Sequence, residues 1–151
     1  MPPIVATAEV DRPAADVFAY TTDPTRFPEW QAGVVSGRLD GEAVGARCIT
    51  VRRIGGAERP STSELLRLEP PRAWAVRGLD GPIRAAVDVT VDPLGADRSR
   101  VAIAVDFTGH GIGKLLVPLV VRREARKEMP ANLARPKERL EDGAQASAGA
   151  P

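Results

Sequence analysis

Cysteine and histidine each occur once in these 151 residues, as Cys48 and His110. One thiol forms no intrachain disulfide. A lone thiol and a lone imidazole also cannot make the multi-cysteine or paired-histidine sets that hold zinc or iron–sulfur clusters, so no metal and no cofactor is expected. Charge of one sign is lacking too: Lys+Arg 21 against Asp+Glu 20 leave a net +1 at pH 7, which argues against nucleic acid as a partner. Apolar runs fall short of the ~18 residues of a membrane span, and Met1-Pro2-Pro3-Ile4 does not open a secretory leader. The expectation is a cytoplasmic protein with no membrane insertion. The glycines at 45, 55, 56, 111 and 113 follow no phosphate-cradling spacing, which argues against a nucleotide site. No serine or cysteine context resembles a nucleophile elbow, so nucleophilic catalysis is set aside. Aromatic residues are few, with Trp 2, Tyr 1 and Phe 3.

What is present suffices for one domain. At this length a chain with 43% hydrophobic residues buries roughly two-thirds of its unfolded surface. Ile4 to Asp11 alternates with period two, setting Ile4, Ala6, Ala8 and Val10 on one face of a half-buried strand. Pro13 then suits a first helical position, with Asp16 in the first turn and Ala14, Val17 and Phe18 at helical spacing, ending near Tyr20. Asp23-Pro24 caps a second brief turn that Pro28 is expected to end, leaving Trp30 just outside it.

From Val34 to Thr108 the signals are strands and turns. Gly55-Gly56 separates Cys48 to Ile54 from Glu58 to Leu68, Pro70-Pro71 breaks the next connection, and Asp80-Gly81 separates Ala73 to Leu79 from Ile83 to Asp92. In the last two strands Ile83, Ala85, Val87, Val89 and Val91, then Val101, Ile103, Val105 and Phe107, alternate with polar neighbours. An apolar sheet face needs a cover. Leu115, Leu116, Leu119 and Val120, then Met129, Leu133 and Leu140, recur at helical spacing to near Glu141 and supply one. Pro118 is tolerated if it lies in a first turn, whereas Pro130 and Pro136 predict a kink near residues 126 to 132. Residues 142–151 show no periodicity and read as a disordered tail, leaving 1–141 as the domain.

Several motifs stand in a telling order: Val10-Asp11-Arg12-Pro13-Ala14-Ala15-Asp16-Val17-Phe18, Thr22-Asp23-Pro24 with Phe27-Pro28-Glu29-Trp30, and Val44-Gly45-Ala46-Arg47. Leu68-Glu69-Pro70-Pro71-Arg72 and the ending Asn132-Leu133-Ala134-Arg135-Pro136-Lys137-Glu138-Arg139-Leu140-Glu141 follow. Together they resemble the START-like or SRPBCC superfamily, which includes the polyketide cyclase/dehydrase group and the plant Bet v 1 type proteins. The resemblance implies an α+β helix-grip fold. In it a curved antiparallel sheet wraps a long C-terminal helix, two short helices follow the first strand, and an apolar cavity lies between sheet and helix. This sequence departs from the pattern at Pro136, where members usually carry an apolar residue. One shared fold serves carriers, receptors and cyclases, so function rests on the cavity residues.

Glu64 is the leading candidate for catalysis. If Leu66 and Leu68 face the cavity, alternation turns Glu64 inward too, where a poised carboxyl serves as general acid or base. A one-residue register shift, or an ion pair with Arg47, Arg52 or Arg77, is the structural alternative. Arg47 and Arg77 are candidate anchors for an enolate or carboxylate, and the same residue type on a wet strand face is the plain alternative. Trp30 and Trp74 suit stacking on a planar ligand or, equally, core packing. His110, between Gly109 and Gly111, suits a gate or proton shuttle as well as an exposed loop. Phe107, Leu116 and Met129 complete the expected ligand-binding set.

Two functions follow from these residues and that resemblance. The first is binding of a small hydrophobic molecule, polyketide-, lipid- or aromatic-like, with no bond made or broken. The second is a polyketide cyclase or dehydrase, in which Glu64, an arginine and His110 assist an aldol condensation and loss of water. Monomer and homodimer both remain open, since a free sheet edge can pair.

Overall fold

The computed structural model describes residues 2–148. The alternating N-terminal segment forms β1 (Ile4–Val10). Helix α1 (Ala14–Thr21) follows, with Pro13 at its N-cap and Asp16 in its first turn. Asp23 accepts a hydrogen bond from the Thr25 amide and so caps a 3-10 turn, Pro24–Arg26. Pro28 does not end this region: it lies in the first turn of α2 (Phe27–Trp30), where a missing N–H costs nothing, and Trp30 becomes the last helical residue.

Six strands come next: β2 (Val34–Leu39), β3 (Arg47–Ile54), β4 (Ala57–Glu69), β5 (Ala73–Gly78), β6 (Ile83–Gly95) and β7 (Arg98–Gly109). All neighbours are antiparallel, in the order β1-β7-β6-β5-β4-β3-β2. Gly55 and Gly56 both take positive φ, +59° and +82°, which makes the tight β3–β4 hairpin possible and pairs Ile54 with Ala57. The sheet curves around the C-terminal helix in a half-barrel, the helix-grip arrangement.

After β7 the chain stays helical through α3 (Gly113–Leu116), a wider π turn (Val117–Val121) and α4 (Arg122–Ala148). Helix α3 seats closely on the β5–β6 connection, since a Cβ at Gly113 would collide with the Pro82 carbonyl. Pro118 is therefore inside the helical path rather than at its start, and its ring and missing N–H oppose a regular turn; the chain widens there instead. Pro130 and Pro136 lie within α4, which continues helical past both, and a further irregularity, the widened turn, precedes it at Val117–Val121. The helix also passes Glu141, through alanines of high helix propensity at 144, 146 and 148, so part of the segment read as a tail is helical. Residues 149–151 lie outside the described residues.

Helix α4 lies along β1. The Lys137 ammonium donates to the Glu9 carbonyl at 2.8 Å and to Glu141 Oε1 at 2.6 Å, and the Asp11 amide donates to Glu141 Oε1 at 3.3 Å. Beneath it Val10, Val17, Leu65, Val91 and Val101 are almost wholly buried in one core with Met129 and Leu133 of α4. Each such side chain contributes about 1.5–3 kcal/mol. Among the described residues no helix is long and apolar enough to cross a membrane.

Candidate functional site

Alternation on β6 and β7 sends Ile83, Ala85 and Val87 to the concave side beside Phe107 and Val105, their register partners being Ala85 to Phe107 and Val87 to Val105. All five are half-buried, as is Leu116 of α3. Further along the same strands Val89, Val91, Val101 and Ile103 are sealed by the helices. The concave side thus runs from a closed core to an apolar strip that water still reaches, at the end of the sheet where β6 begins and β7 finishes.

Phe27, Trp30 and Trp74 gather on this side. Phe27 meets Trp30 edge-on at 5.7 Å and Trp74 edge-on at 6.2 Å, so it bridges the two tryptophans. Trp74 points inward because it pairs with Val89 across β5–β6. Met129 and Leu133 of α4 join the same cluster. Of the residues proposed from sequence, Trp30, Trp74, Phe107, Leu116 and Met129 are thereby placed on the helix side of the sheet. The Trp30 Nε1–H is buried and finds no acceptor among the described protein groups.

The wall on β3 and β4 is polar. Cys48 and Thr50 are buried and inward, and their partners across the hairpin are Ser63 and Ser61. Burial pushes the Cys48 thiol up to about 11. One step nearer the hairpin tip, Arg52 stands opposite Arg59, and Arg52 Nη2 donates to Gln31 Oε1 at 3.2 Å.

Glu64, Arg47 and Arg77 do not face the concavity. A bulge between Leu65 and Arg67 inserts Leu66 as an extra, exposed residue. Leu68 and Leu65 both point inward across it, and period-two counting from Leu68 back to Glu64 fails by one residue. Glu64 pairs with Arg47 on β3 and with Arg77 on β5, so the three form a row on the convex face. His110 is exposed and lines a convex-side depression of about 300 Å³ with Arg77, Arg84 and Thr108. The structure thus brings His110 and Arg77 together, away from the aromatic cluster. Nothing in the sequence marks Phe27, Gln31 or Arg59 as functional, and Arg52 stands out there only as a candidate partner for Glu64. The Gly55-Gly56 turn already sets Arg52 against Arg59; the face they share is what remained hidden.

Among the described residues no group of three or more His, Cys, Asp or Glu side chains could hold a metal ion.

A curved antiparallel sheet gripping a C-terminal helix, with a partly open apolar concave side, defines a helix-grip protein of the START-like class. Residues 1–141 match the model of the family described as polyketide cyclase/dehydrase and lipid transport, and the chain belongs to that family. Solved structures with the same fold include a protein from Thermus thermophilus, 18% identical, covering 99% of this chain and 100% of its own with a TM-score of 0.73. The Zhui aromatase/cyclase from a Streptomyces species is 18% identical over 91% of this chain and 94% of its own, with a TM-score of 0.70. A START superfamily protein from Mycobacterium smegmatis is 14% identical over 93% and 99%, with a TM-score of 0.67. No curated protein matches the chain. At these identities the likeness carries the fold, and the family suggests a groove for hydrophobic ligands.

Proposed function

We propose that the protein binds a small hydrophobic molecule, polyketide-, lipid- or aromatic-like, between the concave sheet and the C-terminal helix, and releases it unchanged. The observation that supports this is the strip of half-buried apolar side chains, Ile83, Ala85, Val87, Val105, Phe107 and Leu116, next to a sealed core. Apolar surface left open inside a concavity gains from a ligand that removes it from water. Trp30, Trp74 and Met129 form the inner wall of the proposed groove, and Phe107 and Leu116 its outer part.

The family description spans cyclase/dehydrase chemistry as well as lipid transport. Acid–base catalysis in the groove requires a proton donor or acceptor there. Because Glu64 and His110 project from the other face, we favour binding without reaction. The experiment is titration with the neutral fluorophore N-phenyl-1-naphthylamine, which brightens in apolar surroundings. Saturable brightening is expected, with affinity reduced about five-fold by Trp74→Ala, the effect of losing roughly 1 kcal/mol of aromatic contact. No saturable signal from the folded wild type would overturn the reading.

A further inference from the structure

The tip of the β3–β4 hairpin carries two pairs with opposite character. On the convex face Arg53 pairs with Glu58, Nη2 to Oε1 at 3.2 Å. On the concave face the register sets Arg52 directly opposite Arg59, two like charges where a sheet ordinarily places opposite ones. Among the described residues no carboxylate lies within ion-pair distance of either guanidinium, although 13 ion pairs form elsewhere.

Arg52 is held in place. Its Nη2 donates to the side-chain oxygen of Gln31, the residue that ends α2 after Trp30, so the guanidinium is tied beside the aromatic cluster. Water reaches the side chain, yet enough protein surrounds it that burial pulls its pKa below the usual value, while Glu128 of α4 acts in the opposite sense from farther off. Because strands alternate in direction, the end of β3 and the start of β4 lie at the same end of the sheet as Ile83 and Phe107. The two arginines therefore stand at the end where the apolar strip is open.

We propose that Arg52 and Arg59 form an anchoring site for the terminal oxyanion, carboxylate or phosphate, of an amphipathic ligand whose apolar body lies along the strip from Phe107 toward Trp74. An oxyanion held at this hairpin tip accepts charge-assisted hydrogen bonds from the two guanidinium groups. The apolar strip alone accommodates a neutral molecule. The arginine pair adds selection for an acidic head group. This proposal rests on the groove reading above.

The test is displacement of N-phenyl-1-naphthylamine by three compounds with the same chain, dodecanoate, dodecyl phosphate and 1-dodecanol, on wild type, Arg52→Met and Arg59→Met. Both positions are exposed, and each variant is checked for an unchanged thermal midpoint. Wild type is expected to bind at least one anion about ten-fold more tightly than the alcohol, and either substitution to abolish that preference while leaving the alcohol unchanged. Preference for one anion over the other assigns the head group. Equal displacement by acid, phosphate and alcohol in wild type, or a preference that survives both substitutions, would overturn the anchoring site and leave the groove standing. Failure of the fluorophore itself to bind would overturn the groove and the anchor together.

Discussion

Arg122, at the start of α4, donates from Nη1 to Asp106 Oδ1 at 3.0 Å, and its Nη2 donates to the Pro2 carbonyl, although the arginine side chain is only 4% exposed and the aspartate 46%. One buried guanidinium thus ties the last helix to β7 and to the segment before β1. The asymmetry of exposure predicts which partner is costlier to lose. Asp106→Ala leaves a buried cation with a single carbonyl for company and should destabilise by about 3 kcal/mol. Arg122→Met removes the buried charge and leaves a carboxylate that water can solvate, so its cost should be smaller by at least about 1 kcal/mol. Urea unfolding of both variants decides it, and a larger loss for Arg122→Met would mean the arginine acts mainly through packing.

The thiol of Cys48 predicts an alkaline sensitivity. Its folded value is about 11 against an ordinary 9.0, so between those values the unfolded chain releases a proton that the folded chain keeps. The unfolded state then binds fewer protons, and stability falls as pH rises through this window, by at most about 3 kcal/mol. Well below the ordinary value the effect is absent. Cys48→Ala should flatten that part of the stability profile relative to wild type, measured from about pH 8 to 11 by denaturant unfolding. Parallel profiles would show that the thiol is as free to ionise folded as unfolded.

Much of the architecture could be read from periodicity, and the places where reading failed have local causes. Alternation in Ile83 to Val91 and Val101 to Phe107 fixed both strands and their inward faces, because no bulge interrupts the register between those residues. On β4 the same alternation turns Glu64 inward only if Leu66 and Leu68 share the concave face, and the register shift at Leu66 is what turns Glu64 outward. Leu66 is a bulge residue, and nothing in Leu65-Leu66-Arg67 distinguishes an extra residue from a paired one. On β3 the more apolar set, Ile49 and Val51, turned out to lie opposite Cys48 and Thr50, which are the buried pair. There the concave side is polar and the usual sign of hydrophobicity reverses. Pro28 and Pro118 were legible as breakers, but whether a proline ends a turn or begins one depends on where the helix starts, which packing decides.

The row Arg47–Glu64–Arg77 yields a prediction that separates the two faces. Glu64 stands between two exposed arginines, so Glu64→Gln removes a screened attraction and should cost no more than about 1 kcal/mol, less in high salt. Fluorophore affinity should stay within about two-fold of wild type, since an outer-face charge is insulated from the groove by the sheet and by salt. A marked fall in affinity with stability intact would return Glu64 to the groove.

Trp30 offers the sharpest test of how the inner wall is built. The indole is 4% exposed, and its N–H meets no protein acceptor among the described residues. Burying such a donor costs about 1–3 kcal/mol, which opposes the gain from burying the ring. Trp30→Phe removes the donor and keeps most of the apolar surface and the edge-on contact with Phe27 at 5.7 Å. The two changes nearly cancel, so the ligand-free variant should lie within about 1 kcal/mol of wild type, where truncating a large buried aromatic to alanine costs about 3–5 kcal/mol. With a bound ligand the balance shifts if a carbonyl or hydroxyl oxygen reaches the indole. Binding of a ligand carrying such an oxygen should then weaken in Trp30→Phe while binding of the matching hydrocarbon does not. A loss above about 2 kcal/mol in the ligand-free protein would instead mean that the N–H is already satisfied by water, and that Trp30 serves the core rather than the ligand.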